Sequence, residues 1–156
     1  MVRRYAAHYL FPVNTVPIKN GIVEVDNGVI VNLFDESQFR EMANMEFFNG
    51  AICPSLEPVF AGIETELLFE KLPELSAFRH LFADKPFEWL KAISLNFDLP
   101  LDQLLHLFCY KIAETFNRLN NYGTLEPGKQ PGILVIENVD FNTMRLQKNS
   151  RMIKKC

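Results

Sequence analysis

The sequence lacks the features that mark nucleic-acid-binding, membrane-spanning and secreted proteins. It carries no net positive charge, because 16 basic residues stand against 19 acidic ones and give a formal charge of −3. A general attraction to phosphate backbones or anionic lipid is therefore not expected. No apolar run approaches the roughly 18 residues of a membrane span, and the first residues read as a strand instead of a signal peptide. We predict a cytoplasmic protein whose partners include neither nucleic acid nor membrane.

Cysteine and histidine are scarce, at three residues each, and neither shows a functional spacing. An odd number of cysteines without paired spacing predicts free thiols in a reducing compartment. We interpret Cys53 and Cys109 as packing residues, since nothing nearby in sequence marks a base that would activate them, and Cys156 as part of a mobile terminus. The histidines lack the His-x-His spacing of a metal site and are interpreted as ordinary surface or half-buried residues: His8, His80 and His106.

The residues that are present indicate one ordinary folded domain. Hydrophobic residues make up 48% and charged residues 22% of the 156 positions, and a chain of this length buries roughly two thirds of its extended surface. Strand patterns dominate the first third of the chain, with turns at Asn20-Gly21 and Asp26-Asn27-Gly28 and a break at Asn49-Gly50. The predicted elements there are strands over 5–13, 18–26, 29–34 and 45–53 and a short helix over 35–42.

The middle of the chain changes to helical spacing. Apolar residues recur every three or four positions, with acidic residues between them, up to the stop at Asn120-Asn121-Tyr122-Gly123. This periodicity predicts four helices, over 63–72, 74–82, 87–95 and 101–119. Strands are predicted to return over 133–136 and 143–146. A basic run without acids follows, and we interpret it as a solvated strand edge, with an anion-binding surface as the alternative: Arg145, Lys148, Arg151, Lys154 and Lys155.

Residues 17–54 and 87–139, about ninety residues in all, resemble the opening and closing segments of one enzyme family. Residues 123–136 read GTLEPGKQPGILVI and resemble the closing signature of amidohydrolases of the cytosine-deaminase and chlorohydrolase type. In that family this turn leads, usually through Ala-Asp where Pro131-Gly132 stands here, into a β-sandwich strand. Residues 99–116 are similar to the family's last helix, with Leu101, Leu104 and Leu105 matching. Residues 18–30 are similar to its N-terminal sandwich hairpin.

The resemblance fails where the catalytic part of the family begins. Only residues 55–86 lie where a (β/α)8 barrel of about 200 residues would be required. The family's barrel entrance ends in Pro-Gly-x-x-Asp/Asn-x-His-x-His, whose histidines hold the catalytic metal. Here Pro54 is followed by Ser55 at the glycine, by Pro58 at the Asp/Asn, and by Phe60 and Gly62 at the two histidines. Neither a phenyl ring nor a hydrogen atom can ligate a metal, so the resemblance implies that the family's activity is lost.

We therefore predict an α+β fold without a (β/α)8 barrel. A small β-sandwich is built from both chain ends, 1–54 and 123–156, with about four helices from 55–122 packed where the barrel would lie, all in one domain. We expect a pseudoenzyme, a structural or protein-interaction module with no catalytic, cofactor-binding or metal-binding residues and no cofactor. The alternative is a small-ligand-binding protein or enzyme with a new site between the helices and the sandwich.

A homodimer or an unidentified protein partner is also expected. An apolar flank left by the missing barrel, together with the phenylalanines of residues 60–90, suggests more apolar surface than one small core can bury: Phe69, Phe78, Phe82 and Phe87. The alternative is a monomer whose helices cover that flank.

Overall fold

A computed structural model describes residues 1–35, 37 and 44–156, so most of the predicted 35–42 helix lies outside the described residues. Seven strands occur within them: β1 Val2–Leu10, β2 Ile18–Lys19, β3 Gly21–Asp26, β4 Val29–Asp35, β5 Met45–Pro54, β6 Ile133–Asp140 and β7 Arg145–Lys154. Both predicted turns are present in the structure, where Asn20, Asn27 and Gly28 all have positive φ. The predicted break at Asn49-Gly50 is a β-bulge inside a continuous β5, not an end.

All seven strands belong to one hydrogen-bonded sheet. Its order is β4-β3-β1-β5-β6-β7, with β2 paired to β1, and both chain ends contribute central strands. Every pairing is antiparallel except that of β1 with β5. The strand β7 is longer than the predicted 143–146 because pairing with β6, not apolar alternation, fixes its extent.

This single sheet curls until its far strand meets the loop before β6. Ile30 of β4 donates its N–H to the Lys129 carbonyl at 2.9 Å, and Gly128 donates to the Ile30 carbonyl at 2.8 Å, although three strands separate β4 from β6. The inner face encloses an apolar cluster that includes Tyr5, Leu10, Val23, Val25, Ile30, Leu125 and Val135. The α+β class is thus confirmed, and the two layers of the predicted sandwich come from one curled sheet.

The middle of the chain packs helices against the other face of the sheet. The described helices are α1 Glu57–Phe60, α2 Thr65–Lys71, a 3-10 helix Pro73–Leu81, α3 Pro86–Asn96, and a last helix formed by α4 Leu101–Leu105, a π-helical turn His106–Lys111 and α5 Ile112–Thr115. Their apolar sides form the larger core with Ala51, Cys53 and Ile136 of the sheet. No (β/α)8 barrel is present in the described part of the chain.

Two helical predictions differ in type or length. The segment predicted over 74–82 is a 3-10 helix that begins at Pro73, and its Phe78 carbonyl accepts the indole N–H of Trp89 at 3.1 Å. The last helix was predicted to reach residue 119 but stops at Thr115. It stops because Asn117 turns into the left-handed region with φ of 57°, and Arg118 then donates its N–H back to the Ala113 carbonyl at 2.7 Å. The short helix α1 was not predicted.

Candidate functional site

The positions that the resemblance assigns to metal ligands do not converge. The Phe60 ring packs against the rings of Phe108, at 5.6 Å, and Trp89, at 6.4 Å, inside the helical core. Gly62 is exposed, and a side-chain carbon built there would meet no atom within 4 Å. One position therefore contributes hydrocarbon to the core, and the other faces solvent.

The histidines lie far apart in the fold, each beside an aromatic ring. His8 hydrogen-bonds Asn49 through Nε2 at 2.9 Å, His80 lies 6.2 Å from the Phe97 ring, and His106 stacks on Tyr110 at 5.1 Å. Across residues 1–35, 37 and 44–156, no three His, Cys, Asp or Glu side chains are grouped so that they could hold a metal ion together. The described chain therefore offers no preformed ligand set.

The cysteines are free thiols, and two of them lie in the core. Cys53 and Cys109 are fully buried, and burial raises the pKa of both thiols far above its ordinary value. A nucleophilic cysteine needs the opposite shift, so these two fit the packing role predicted for them. Cys156 differs from its prediction as a mobile terminus, because its carbonyl oxygen accepts the N–H of Ile133 at 3.3 Å and holds the terminus against β6.

The basic run lies on β7, at one end of the strand order. Four of its five cations contact acceptors within the chain. Arg145 donates to the Ser94 and Phe97 carbonyls at 2.7 Å, and the other three pair with carboxylates: Arg151 with Glu137, Lys154 with Glu57 and Lys155 with Glu46. These contacts fit a charged strand edge and leave little of the run as an open anion site.

The family-like loop, residues 123–130, holds the curled sheet together. The Lys129 ammonium donates to Thr124 Oγ1 at 2.7 Å and to Glu126 Oε1 at 2.8 Å, and Thr124 Oγ1 donates to the same carboxylate at 2.7 Å. These hydrogen bonds lower the pKa of Glu126. Leu125 is fully buried in the inner cluster, and its N–H donates to the Pro12 carbonyl at 3.0 Å. The charged and polar side chains of this loop therefore hydrogen-bond one another within the fold.

A cleft of about 560 Å³ lies between the loop that joins β1 to β2 and the last helix. One wall is the loop of residues 11–17, and the other contains Asp102, Gln103 and His106. Two local irregularities adjoin it. Val13 has φ of +80°, which is strained for a β-branched residue. The π-helical turn begins at His106, and π turns occur frequently at functional sites.

Sequence reasoning did not identify this cleft. Its polar residues come from one loop and one helix that are about ninety positions apart, and no motif links them. The one available signal was the pair of prolines that bracket the loop, Pro12 and Pro17, because two prolines so close together favour an irregular exposed segment.

Comparisons with known proteins find only partial structural likeness. No protein-family model and no curated protein matches the sequence. Among solved structures, the chain is similar to an ochratoxinase from A. niger (9% identity, TM-score 0.30) over 60% of this chain and 22% of that one. It is also similar to a zinc-bound adenosine deaminase from Xanthomonas campestris (19% identity, TM-score 0.31) over 59% of this chain and 24% of that one. A third similar structure is molinate hydrolase (13% identity, TM-score 0.28), over 81% of this chain and 29% of that one. The chain thus spans between about a fifth and a third of the length of these enzymes.

No helix in the described residues has both the length and the apolar character needed to cross a membrane.

Proposed function

We propose that this chain is a barrel-less relative of the amidohydrolases that acts as a structural or protein-interaction module without catalysis. The observation that carries the proposal is the half-buried Phe60 ring, which packs on Phe108 and Trp89 at the position where the resemblance places a metal-ligating histidine. A histidine that bound a metal ion would need a hydrogen-bond acceptor for its other ring nitrogen, and this apolar cluster offers none. The family-like loop supports the same conclusion, because its charged groups bind one another.

The experiment is elemental analysis combined with activity assays on the purified protein. We expect no stoichiometric zinc, iron or manganese and no deamination or hydrolysis of typical amidohydrolase substrates. One equivalent of metal per chain that is removed by a chelator together with a measurable turnover would overturn the proposal.

Association with another protein chain is part of this proposal. Of the four phenylalanines that prompted it, Phe69, Phe78 and Phe87 are buried within the chain. The remaining exposed apolar side chains of residues 60–90 are Phe82, 36% exposed, and Leu67, 38% exposed. We propose a homodimer, or a complex with another protein, in which these two side chains are covered. We place the protein in the cytoplasm, which the three free thiols support, and expect neither nucleic acid nor membrane as a partner.

A second candidate function, the binding of a small ligand, rests on the cleft beside Val13. Its volume of about 560 Å³ lies in the usual range for small-molecule sites, and it lies between the last helix and the loop that joins β1 to β2. A screen of neutral fragment-sized compounds by ¹⁵N NMR is the experiment. Saturable shifts at the Val13 and His106 amides would support this function, whereas a screen that moves no amide of the cleft would remove it.

A further inference from the structure

A second groove, which we call the amide groove, crosses the sheet at the level of the β5 bulge. It has a volume of about 500 Å³ and lies apart from the cleft beside Val13. Half of its ten lining residues carry a carboxamide: Asn20, Asn49, Asn138, Asn142 and Gln147. Asn20 and Asn142 lie in turns, whereas Asn49, Asn138 and Gln147 lie on strands, where β-branched and aromatic residues are favoured and asparagine is depleted.

Irregularities in adjacent strands place these amides at one level of the sheet. On β5, Asn49 and Gly50 together stand opposite the single residue His8 of β1, which is a β-bulge. In the pairing of β6 with β7, the register shifts around Asn138, and residues 147–150 of β7 have no residue directly opposite them on β6. The two irregularities adjoin because Gly50 is paired with Glu137. Bulges re-aim side chains and are frequent beside binding sites.

The floor of the amide groove is aromatic and half-buried. The Tyr9 and Phe141 rings lie 5.0 Å apart with an angle of 34° between their planes, and the His8 ring lies 5.9 Å from Phe141. His8 is held by the Asn49 side chain through the 2.9 Å hydrogen bond. All the amides except that of Asn20 are exposed, so partly buried rings form an apolar base with a polar rim. Asn138 Nδ2 donates to the Asn149 carbonyl at 3.0 Å, which leaves its Oδ1 as an acceptor for a ligand.

The charge of the lining restricts the ligand. Lys19 is the only Lys, Arg, Asp or Glu among the described residues that line the groove. A cation would need carboxylates, and a phosphate or carboxylate ligand would be favoured by several cations or an arginine fork. A carboxamide offers both an N–H donor and a C=O acceptor, and each hydroxyl of a sugar likewise donates and accepts. The apolar face of a pyranose ring matches an aromatic floor.

We propose that the amide groove binds a neutral pyranose saccharide, with the sugar ring on Phe141 and Tyr9 and its hydroxyls hydrogen-bonded to the amides of Asn49, Asn138 and Gln147. This binding site is independent of the proposed lack of catalysis and of the cleft beside Val13. It assigns the chain a ligand class that its family-like segments do not suggest.

The test is a ¹⁵N NMR titration of the full chain with maltotriose, cellotriose and chitotriose, each up to roughly 20 mM, which reaches weak millimolar affinities. At least one sugar is expected to give saturable shifts centred on the amides of residues 8, 49, 138 and 141. Phe141→Leu, which keeps apolar volume but removes the ring, and Gln147→Ala, at an exposed position, should each weaken binding about tenfold. Asn96→Ala removes an exposed carboxamide from α3, outside the groove, and should leave the affinity unchanged.

Three results would overturn the proposal. The first is the absence of saturation with all three sugars. The second is saturation whose shifts centre on Val13 and His106, which would assign the sugar to the other cleft. The third is equal affinity in Gln147→Ala and Asn96→Ala. Since Gln147 is exposed, its variant keeps the test valid even if Phe141→Leu proves too unstable to study.

Discussion

Gly50 is the residue at which the fold leaves least space for a side chain. A Cβ placed there would lie 2.0 Å from the Ile136 carbonyl oxygen and 2.9 Å from its carbonyl carbon. Both atoms belong to the backbone of β6, which is paired on its two sides and cannot retreat without breaking hydrogen bonds. Glycine is therefore required by the close approach of two strands.

We predict that Gly50→Ala destabilises the protein by about 3 kcal/mol, because the added carbon must displace a central strand. For a chain of this length, that corresponds to a melting temperature lower by roughly 6–12 °C. Thermal unfolding followed by circular dichroism measures it. Asn49→Ala, on the same bulge but with an exposed side chain, is the control and should cost less than about 1 kcal/mol. Equal losses in the two variants would contradict this account of Gly50.

The sequence indicated the glycine but not its reason. Asn49-Gly50 reads as a strand break because these residues favour turns, and only the structure shows that the chain continues through a bulge. The atom that excludes a side chain belongs to Ile136, which lies far along the chain and enters the same sheet through β6. Local propensity cannot report such a contact. The same holds for Phe60: the sequence showed that a phenyl ring cannot ligate a metal, but it did not show that this ring packs on Phe108 and Trp89.

Among the elements, the loop of residues 123–130 has the clearest electrostatic contribution to stability. The Lys129 and Thr124 hydrogen bonds lower the pKa of Glu126 in the folded chain. A lowered carboxyl pKa contributes stability above the unfolded value of about 4.3, and this contribution is lost as the pH falls through the folded value. The loop hydrogen-bonds β4 and the segment after β1, so its weakening affects the closure of the sheet.

We predict that Glu126→Gln lowers the free energy of unfolding at pH 7 and that the difference from the unsubstituted chain shrinks as the pH falls below about 4.3. Urea unfolding at pH 7, 5, 4 and 3 measures the difference. Glu66→Gln, whose carboxylate pairs with Arg79 at an exposed site, is the matched control and should lower the free energy of unfolding less than Glu126→Gln does at pH 7. A Glu126→Gln difference that stays constant from pH 7 to pH 3 would be inconsistent with this role of the carboxylate.

Helices were easier to predict than their irregular parts. The helices α2 and α3 follow their apolar spacing within two residues or less. The 3-10 helix over Pro73–Leu81 and the π turn at His106–Lys111 were not foreseen, since both keep an approximately helical apolar pattern and differ only in hydrogen bonding. The Trp89 indole, which hydrogen-bonds the Phe78 carbonyl, is one contact that local sequence cannot supply.

At the scale of the whole molecule, the two chain ends depend on one another. β5 has β1 on one side and β6 on the other, and the loop before β6 closes the sheet against β4. We predict that deleting every residue after Tyr122 unfolds the domain, because β5 would lose a partner and the inner cluster would lose Leu125, Ile133 and Val135. Circular dichroism and a thermal melt of residues 1–122 test this. A cooperative transition near the full-length temperature would refute it.

The oligomeric state is the second prediction at this scale. We expect light scattering at micromolar concentration to give about twice the chain mass of 18.0 kDa. Phe82→Glu should reduce the mass to one chain, and circular dichroism checks that the fold survives, because the ring is only 36% exposed and lies 5.2 Å from the Trp89 ring. A charge at Phe78 is a poor test, because that ring is buried 5.0 Å from Phe97. Phe47→Glu replaces an exposed phenylalanine outside residues 60–90 and is the control. A mass of 18.0 kDa for the unsubstituted chain would exclude the homodimer.

The position of β5 between β1 and β6 has a consequence for synthesis on the ribosome. β5 is complete at Pro54, but its second partner begins only at Ile133. At ~5–20 residues per second, the growing chain waits roughly 4–16 s before that partner can be made. During this interval the β5 edge and its apolar residues Ala51, Ile52 and Cys53 have no partner strand on that side. Unpaired strand edges pair readily with other chains, so we expect chaperones to shield the nascent chain during this interval.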